Sequence, residues 1–329
     1  MLVVIKALLI GFLSFLISLY ITPLLIKVAV KFSIVDKPDG KLKRHEHATP
    51  YLGGLAIYFG FLVSSSLVMP FASGFGLFII SATILLFVGL LDDLIVLTPA
   101  QKFGGQFFAA LCYMRVGFYL KCLFFTNICN IGLAFVWLLG LINAFNLIDV
   151  MDGLATTVAL AVSCSYLMFA IFFGDVHLIL LLVALIGSLV GFLWFNKPSA
   201  RIYLGDAGSL FLGGLLACIP FAVSWSEYNP YGYLVPIFIC VIPLLECGTL
   251  ILVRTYKRIP FYRGSPDHFS IFLQQKGWSK WSILCLTFAC TIFFACLAFF
   301  FFINQLSFIT LVSAALLFLT WWYFNLVPA

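Results

Sequence analysis

Long apolar runs, separated by polar residues, glycine or proline, follow one another along almost the whole chain. A helix needs about 20 apolar residues to cross the hydrocarbon core of a bilayer. The pattern predicts eleven such helices, at residues 5–30, 51–69, 76–97, 103–120, 131–150, 153–173, 178–195, 208–225, 231–253, 282–303 and 306–326. The predicted fold is therefore all-α, a polytopic integral membrane protein with about eleven transmembrane helices.

The composition agrees with this interpretation. Of the 329 residues, 64% are hydrophobic and only 9% are charged. A soluble domain carries roughly 25% charged residues, so this chain has too few to cover a surface that faces water. Because no polar block is long enough for a second domain, residues 1–329 are predicted to form a single transmembrane domain.

The basic residues indicate how the chain is oriented in the membrane. Alternation of eleven spans places residues 27–50, 98–102, 196–205 and 254–280 on the same side, and these connections hold 15 of the 18 Lys and Arg residues. Positively charged connections stay in the cytoplasm, which predicts an inner-membrane protein with the N-terminus outside and the C-terminus inside. The net charge of +6 is then an orientation signal and a contact with anionic lipids, and does not indicate nucleic-acid binding.

An acidic pair, Asp92 and Asp93, closes the third predicted span at its cytoplasmic end. The negative end of the helix dipole disfavours carboxylates there, and the two side chains also repel each other. A bound cation, a nearby lysine such as Lys102, or a raised pKa must compensate. The alternative is an ordinary solvated helix end, which explains a single acid better than a pair.

Four polar residues recur every three positions at the end of the fifth predicted span: Asn143, Asn146, Asp149 and Asp152. On a helix this spacing puts them on one face. Amide and carboxylate oxygens are ligands suited to Mg²⁺, with Mn²⁺ as an alternative. Helix capping with an interhelical hydrogen-bond seam is the competing interpretation.

Three further segments add charge at the same predicted side. Asp206, between two glycines before the eighth span, is either an ordinary N-cap residue or part of a site. The first loop contains Arg44 and His47, and the last large loop contains Arg263 and His268. Phosphate oxygens pair well with such cationic groups, although orientation alone also explains basic loops. Carboxylates, a divalent metal and basic loops at one membrane face are what an enzyme needs to handle a soluble diphosphate beside a lipid acceptor.

These residues resemble the polyprenyl-phosphate N-acetylhexosamine-1-phosphate transferase superfamily, which includes the MraY, WecA and TagO types. The resemblance covers nearly the whole chain, with four motifs in the expected order. The motifs are Asp92-Asp93 followed by Lys102 and Gln106, Asn143 to Leu154, Gly205-Asp206-Ala207-Gly208-Ser209, and Lys37-Pro38 through Gly54.

The resemblance implies a Mg²⁺-dependent enzyme that uses a UDP-N-acetylhexosamine and a polyprenyl phosphate in the membrane, and releases UMP. Asp206 would hold the metal, with Asn146 as the second ligand. Asp92 or Asp93 would deprotonate or orient the polyprenyl phosphate. Such a reaction is the first membrane step of cell-envelope polysaccharide synthesis, and a homodimer is compatible with it.

The remaining candidates would bind substrate. Lys102 would contact the diphosphate or the lipid phosphate, while Asp149 and Asp152 would shape the nucleotide and sugar pocket. The resemblance adds the following residues to the substrate-binding set: Asn143, Arg44, His47, Arg263 and His268.

The last large loop departs from the family pattern. Members often carry several histidines there, whereas the segment around Pro266 has only His268. Eleven spans and the Lys37-Pro38 loop resemble the WecA and TagO branch, which favours UDP-N-acetylglucosamine. The alternative substrate is the muramoyl-pentapeptide nucleotide.

Alternatives of other classes predict different features. A secondary transporter should place ionisable groups near the middle of the membrane and contain an internal repeat with broken helices, and no convincing repeat is present. A CDP-alcohol phosphotransferase shares the start of its motif with Asp152 to Thr157, but the arginine expected after Ala155 and the two later acids are missing.

Overall fold

The computed structural model describes residues 1–36, 49–69, 74–115, 117, 126–260, 266–304 and 306–326, with side chains as far as residue 322. It confirms an all-α membrane protein. The helices are α1 Leu2–Lys31, α2 Gly53–Ser66, α3 Phe75–Ile95, α4 Pro99–Arg115, α5 Asn127–Ile148, α6 Leu154–Phe173, α7 Val176–Asn196, α8 Gly205–Cys218, α9 Trp225–Tyr228, α10 Val235–Ile239, α11 Val241–Tyr256, α12 Phe269–Gln275, α13 Lys280–Phe302 and α14 Phe308–Leu326. Strands β1 Val35–Asp36 and β2 Thr49–Pro50 form a short antiparallel pair, with Val35 opposite Pro50.

Each predicted span coincides with a helix, but the count of eleven spans is not confirmed. Within the described residues, seven helices are long and apolar enough to cross a membrane, or up to eight if the bent pair α10–α11 is one span. Helix α2, with 14 residues, is shorter than a span. Helix α4 has 17 residues and carries Lys102 and Gln106, so it also lacks a full apolar length.

The span predicted at 231–253 is broken rather than continuous. Helices α10 and α11 meet at Cys240 with a bend of 74°. The physical cause is Pro243, which has no N–H to donate and whose ring clashes with the carbonyl four residues earlier. That carbonyl belongs to Ile239, the last residue of α10.

Helix α8 lies at the centre of the bundle, packed against α2, α3 and α5. Every residue from Ala207 to Cys218 is buried. Close approach depends on glycine, because a Cβ on Gly89 of α3 would overlap the backbone of Asp206, and one on Gly54 of α2 would overlap the backbone of Gly208. Helix α1, in contrast, buries only five of its 30 residues, as expected of a helix that faces lipid.

One end of the bundle gathers the polar segments. Helices α3 and α5 end there, and α4 and α8 begin there. The segment before α2 is fastened to the segment before α8, because Gly53 N–H donates to Tyr203 O at 3.1 Å and Gly54 N–H donates to Leu204 O at 2.9 Å. We call this the acidic end, defined by Asp92, Asp93, Asp149 and Asp206.

Candidate functional site

A lysine lies at the centre of the acidic end. Lys102 Nζ is 2.9 Å from Asp92 Oδ2 and 2.5 Å from Asp206 Oδ2. It also donates to Asn146 Oδ1 at 3.1 Å. Helices α3, α4, α5 and α8 therefore each supply one group to a single cluster, which we call the Lys102 cluster: Asp92, Lys102, Asn146 and Asp206.

Asn146 fixes the carboxylate of Asp206 from the other side. Its Nδ2 donates to Asp206 Oδ1 at 2.6 Å and to Ser209 Oγ at 3.0 Å. Both oxygens of Asp206 are thus engaged, one by an ammonium and one by an amide. Ser209 was part of the glycine-rich motif but was not predicted as a site residue, since the motif did not say which of its side chains point inward.

The structure separates the two members of the acidic pair. Asp93 points to α8 and accepts hydrogen bonds from Asp206 N–H at 3.0 Å and from Ala207 N–H at 3.1 Å. The first amides of a helix have no partner within it, so a carboxylate from α3 caps α8. The N-cap interpretation of Asp206 is therefore wrong, because Asp206 is the second residue of α8 and the cap comes from another helix.

Asp92 remains with the cation. Besides the ion pair with Lys102, its Oδ1 accepts the Leu97 N–H at 2.7 Å. Of the compensations that the sequence suggested for a carboxylate at the C-terminal end of α3, the described contacts provide a nearby lysine for Asp92. For Asp93 they provide one that the sequence did not suggest, the N-terminus of α8.

The polar stripe of α5 is shorter than predicted. Helix α5 ends at Ile148, so Asp149 is its C-cap residue and Asp152 lies in the turn before α6. Only Asn143 and Asn146 keep the helical spacing. The turn depends on Gly153, whose φ of +73° is a conformation that glycine adopts without strain.

The other members of the stripe have separate partners. Asn143 Nδ2 donates to Gln106 Oε1 at 2.8 Å, and Asp152 Oδ2 lies 2.6 Å from Lys280 Nζ. Burial, followed by the charges of Asp206, Asp93 and Asp152, raises the pKa of Asp149 well above its ordinary value. Asp149 therefore lies close enough to the other carboxylates of the acidic end to be affected by their charge. Lys280 was not predicted as a site residue, because nothing in its local sequence distinguishes it from other interfacial lysines.

The structure describes only part of the two basic loops. Arg44, His47 and Arg263 lie outside the described residues. His268 is described, and its Nδ1 lies 2.7 Å from Glu246 Oε1 of α11. Glu246 was not predicted as a site residue, since it stands alone within an apolar run.

The donor set of the Lys102 cluster suits a hard divalent cation. No group of three or more His, Cys, Asp and Glu side chains within the described part of the chain is arranged to hold a metal. However, carboxylate oxygens of Asp92 and Asp206 and the amide oxygen of Asn146 converge on one positively charged atom, Lys102 Nζ. Such oxygens are the ligands that Mg²⁺ and Mn²⁺ accept, so Asp206 and Asn146 fit the metal that the sequence predicts.

Comparison with known proteins gives consistent results. A model of "Glycosyl transferase family 4" matches residues 75–224, the segment that contains the whole Lys102 cluster. A relative from Bacillus subtilis (strain 168), "Probable undecaprenyl-phosphate N-acetylglucosaminyl 1-phosphate transferase", is 29% identical over 288 residues, covering 83% of this chain and 79% of the relative.

Two further relatives carry a different name. A "Phospho-N-acetylmuramoyl-pentapeptide-transferase" from Streptococcus pneumoniae (strain Hungary19A-6) is 30% identical over 305 residues, covering 83% of this chain and 91% of the relative. Another protein of that name, from Listeria monocytogenes, is 33% identical over 304 residues, covering 81% of this chain and 87% of the relative.

Proposed function

Because this chain belongs to glycosyl transferase family 4, the superfamily of polyprenyl-phosphate hexosamine-1-phosphate transferases, we propose that it transfers N-acetylglucosamine-1-phosphate from UDP-N-acetylglucosamine to undecaprenyl phosphate or another polyprenyl phosphate. An oxygen of the lipid phosphate attacks the phosphorus that carries the sugar, the diphosphate bond breaks, and UMP leaves. The product is a lipid-linked sugar diphosphate, the starting point of a cell-envelope polysaccharide.

The observation that carries the proposal is the Lys102 cluster. Four helices contribute one residue each, and three oxygens surround one cation, Lys102 Nζ. Such an arrangement handles a substrate with several negative charges, because cationic groups neutralise the diphosphate while the carboxylates hold those groups in place. A divalent cation held by Asp206 and Asn146 would neutralise further charge on the diphosphate when bound.

The geometry supports different roles for the two acids that close α3. Asp93 uses both carboxylate oxygens on the amides of α8, so it is a positioning residue that orients Asp206. Asp92 is held by Lys102 and by the Leu97 amide and is the better candidate to orient or deprotonate the lipid phosphate. Lys102 then contacts the diphosphate or the lipid phosphate, and Asp149 and Asp152 line the nucleotide and sugar pocket.

The second candidate function is transfer of the phospho-N-acetylmuramoyl-pentapeptide. The observation that favours it is the similarity to relatives of that name, which reaches 33% identity. Both reactions break the same bond and differ in the sugar and in the pentapeptide that it carries. The single histidine of the described part of the last large loop, His268, belongs to the segment that we expect to contact the sugar or its phosphate.

A secondary transporter would use its intramembrane acids to bind coupling ions. The bent span α10–α11 with Glu246 is a feature of that kind. However, the acids around Lys102 lie at helix ends and not in the middle of a span. Substrate turnover rather than uptake is therefore the expected activity.

The test is release of UMP from purified protein supplied with undecaprenyl phosphate, Mg²⁺ and one UDP-sugar at a time. UDP-N-acetylglucosamine should be used, UDP-N-acetylmuramoyl-pentapeptide should not, and a chelator should stop the reaction until Mg²⁺ is restored. Turnover with the pentapeptide substrate alone would assign the second function. Absence of UMP with every sugar would overturn the proposal.

The decisive variant is Asp206→Asn, which keeps the shape but removes the charge that faces Lys102. We expect turnover to fall by about 100-fold or more, the usual cost of losing one electrostatic contact in an active site. Asp175→Asn is the matched control, because Asp175 caps α7 through Leu178 N–H at 3.0 Å and belongs to no cluster with Lys102. Equal turnover in both variants would remove Asp206 from the site.

A further inference from the structure

A buried acid–histidine pair joins α11 to the segment before α12. His268 Nδ1 lies 2.7 Å from Glu246 Oε1, and the two side chains are only 6% and 1% exposed. Glu246 belongs to the second turn of α11, inside the bent span. Burying a carboxylate costs free energy unless the group is paired. The contact between Glu246 and His268 is therefore not an ordinary ion pair of the protein surface.

The surrounding structure holds His268 in one position. Helix α12 begins directly after it, and Phe269 and Leu273 of this helix are almost fully buried. Phe269 also packs against Trp322, with ring centroids 5.0 Å apart. On the preceding side, Asp267 pairs with Lys257 at 2.8 Å. The backbone on both sides of His268 is therefore anchored.

The pair also lies beside the helix that carries two of the predicted site residues. Helix α11 packs against α5, which contributes Asn143 and Asn146. The segment that begins with Pro266 thus returns from the loop into the bundle, and His268 contacts the helix that packs against α5. A solvated loop histidine would not need a buried acid as its partner.

The chemistry of the contact selects one form of the ring. An ionised carboxylate only accepts hydrogen bonds, so the hydrogen between the two groups must be on Nδ1. In the neutral ring Nε2 then carries no hydrogen and can accept a hydrogen bond from a ligand, while Glu246 sets the orientation of the ring.

We propose that Glu246 is a positioning residue of the transferase, which fixes the tautomer and the orientation of His268 so that Nε2 accepts a hydrogen bond from a hydroxyl group of the substrate. The proposal rests on the function proposed above. It adds to the site a residue from inside the bent span, and it gives a role to a carboxylate that lies away from the Lys102 cluster.

Substitution by glutamine separates positioning from packing. Glu246→Gln keeps the size of the side chain, but its amide can either accept from Nδ1–H or donate to an unprotonated Nδ1. The preference for one tautomer is therefore lost while the core stays filled. Glu246→Asp keeps the charge and restores the preference if the shorter side chain still reaches the ring. Glu227→Gln, at an exposed position outside this pair, is the control for removal of a carboxylate.

The first measurement does not depend on turnover. The protein has four histidines, so the ¹⁵N spectrum of histidine-labelled protein in detergent is simple, and His268→Gln assigns its signal. We expect a ring protonated at Nδ1 in the unsubstituted protein and in Glu227→Gln, and a mixture of tautomers in Glu246→Gln. An unchanged His268 signal in Glu246→Gln would overturn the inference.

The second measurement is kinetic. We expect kcat of Glu246→Gln to fall by about 10- to 100-fold, the usual effect of losing a residue that orients a site group, and Glu246→Asp to recover part of it. The double variant with His268→Gln should be no slower than His268→Gln alone, because Glu246 acts through that ring. Independent, multiplying losses would refute the inference. If the unsubstituted protein transfers no sugar, the proposed function fails, and the spectrum still decides whether Glu246 orients His268.

Discussion

At the scale of single residues, two adjacent and chemically identical acids have different surroundings. Asp92 faces an ammonium and Asp93 faces the N-terminus of α8. Both are ways of supplying positive charge to a carboxylate that the end of its own helix would repel. The adjacent positions of Asp92 and Asp93 on α3 allow one to contact the cluster while the other holds the helix on which Asp206 lies.

Asp93→Asn tests this difference. The amide offers one acceptor where two backbone N–H groups need one each, so one buried donor loses its partner. We expect the free energy of unfolding to fall by about 1–3 kcal/mol, measured by thermal or denaturant unfolding in detergent, and turnover to be lost even at saturating lipid acceptor.

Asp92→Asn is the matched variant. Its oxygen can still accept from Leu97 N–H, while the charge facing Lys102 is removed. It should lose turnover with a smaller effect on unfolding than Asp93→Asn. Equal stability of Asp93→Asn and the unsubstituted protein would contradict the capping role.

At the scale of elements, the site depends on how closely α3 and α8 approach each other. Gly89 lies where α3 meets the backbone of Asp206, and any side chain there would push the two helices apart. Small residues at helix contacts are the usual means of close packing in membranes. Here the close contact brings Asp93 within hydrogen-bond reach of the α8 amides.

Gly89→Ala should therefore disrupt the site as well as the packing. A methyl group that overlaps the α8 backbone costs about 1–3 kcal/mol when the core cannot adapt, and turnover should fall by more than the loss of folded protein explains. Gly132→Ala is the control, since Gly132 of α5 has open space around it and alanine favours a helix. The measurements are unfolding in detergent and UMP release per folded protein. Normal turnover in Gly89→Ala would show that the close approach is not needed.

At the scale of the whole molecule, the orientation in the membrane decides which compartment supplies the nucleotide sugar. The distribution of Lys and Arg predicts that the acidic end faces the cytoplasm. In the structure, α3 and α5 end and α4 and α8 begin at the same end of the bundle. The predicted alternation of spans places these helix ends on one side of the membrane.

Cysteine labelling tests the orientation. In a variant without the native cysteines, a cysteine at exposed Gln275 should react with a membrane-impermeant maleimide in inverted vesicles and stay unlabelled in right-side-out vesicles. A cysteine at exposed Glu227 should show the reverse. Labelling of Gln275→Cys from the outside would overturn the predicted topology, and with it the cytoplasmic source of the nucleotide sugar.

The sequence by itself determined the fold class and the segments that matter. Lipid offers the backbone no hydrogen bonds, so a chain made of long apolar runs must form helices, and every predicted span is helical in the structure, at 231–253 as two helices. The motifs named every residue of the Lys102 cluster, because polar residues at the ends of apolar runs are conspicuous. The sequence did not reveal that α2 and α4 fall short of full spans, nor that Pro243 breaks the span containing Glu246.

Only the tertiary structure decided which polar groups meet. Lys102 and Asp206 are 104 positions apart, and Glu246 and His268 are 22 positions apart across a break in the helices. Such contacts depend on how far each helix is rotated and how closely its backbone approaches the next one, and these depend on glycine contacts and side-chain packing among several helices at once. Local spacing carries no information about that rotation, so the capping of α8 by Asp93 and the role of Glu246 became visible in the folded protein alone.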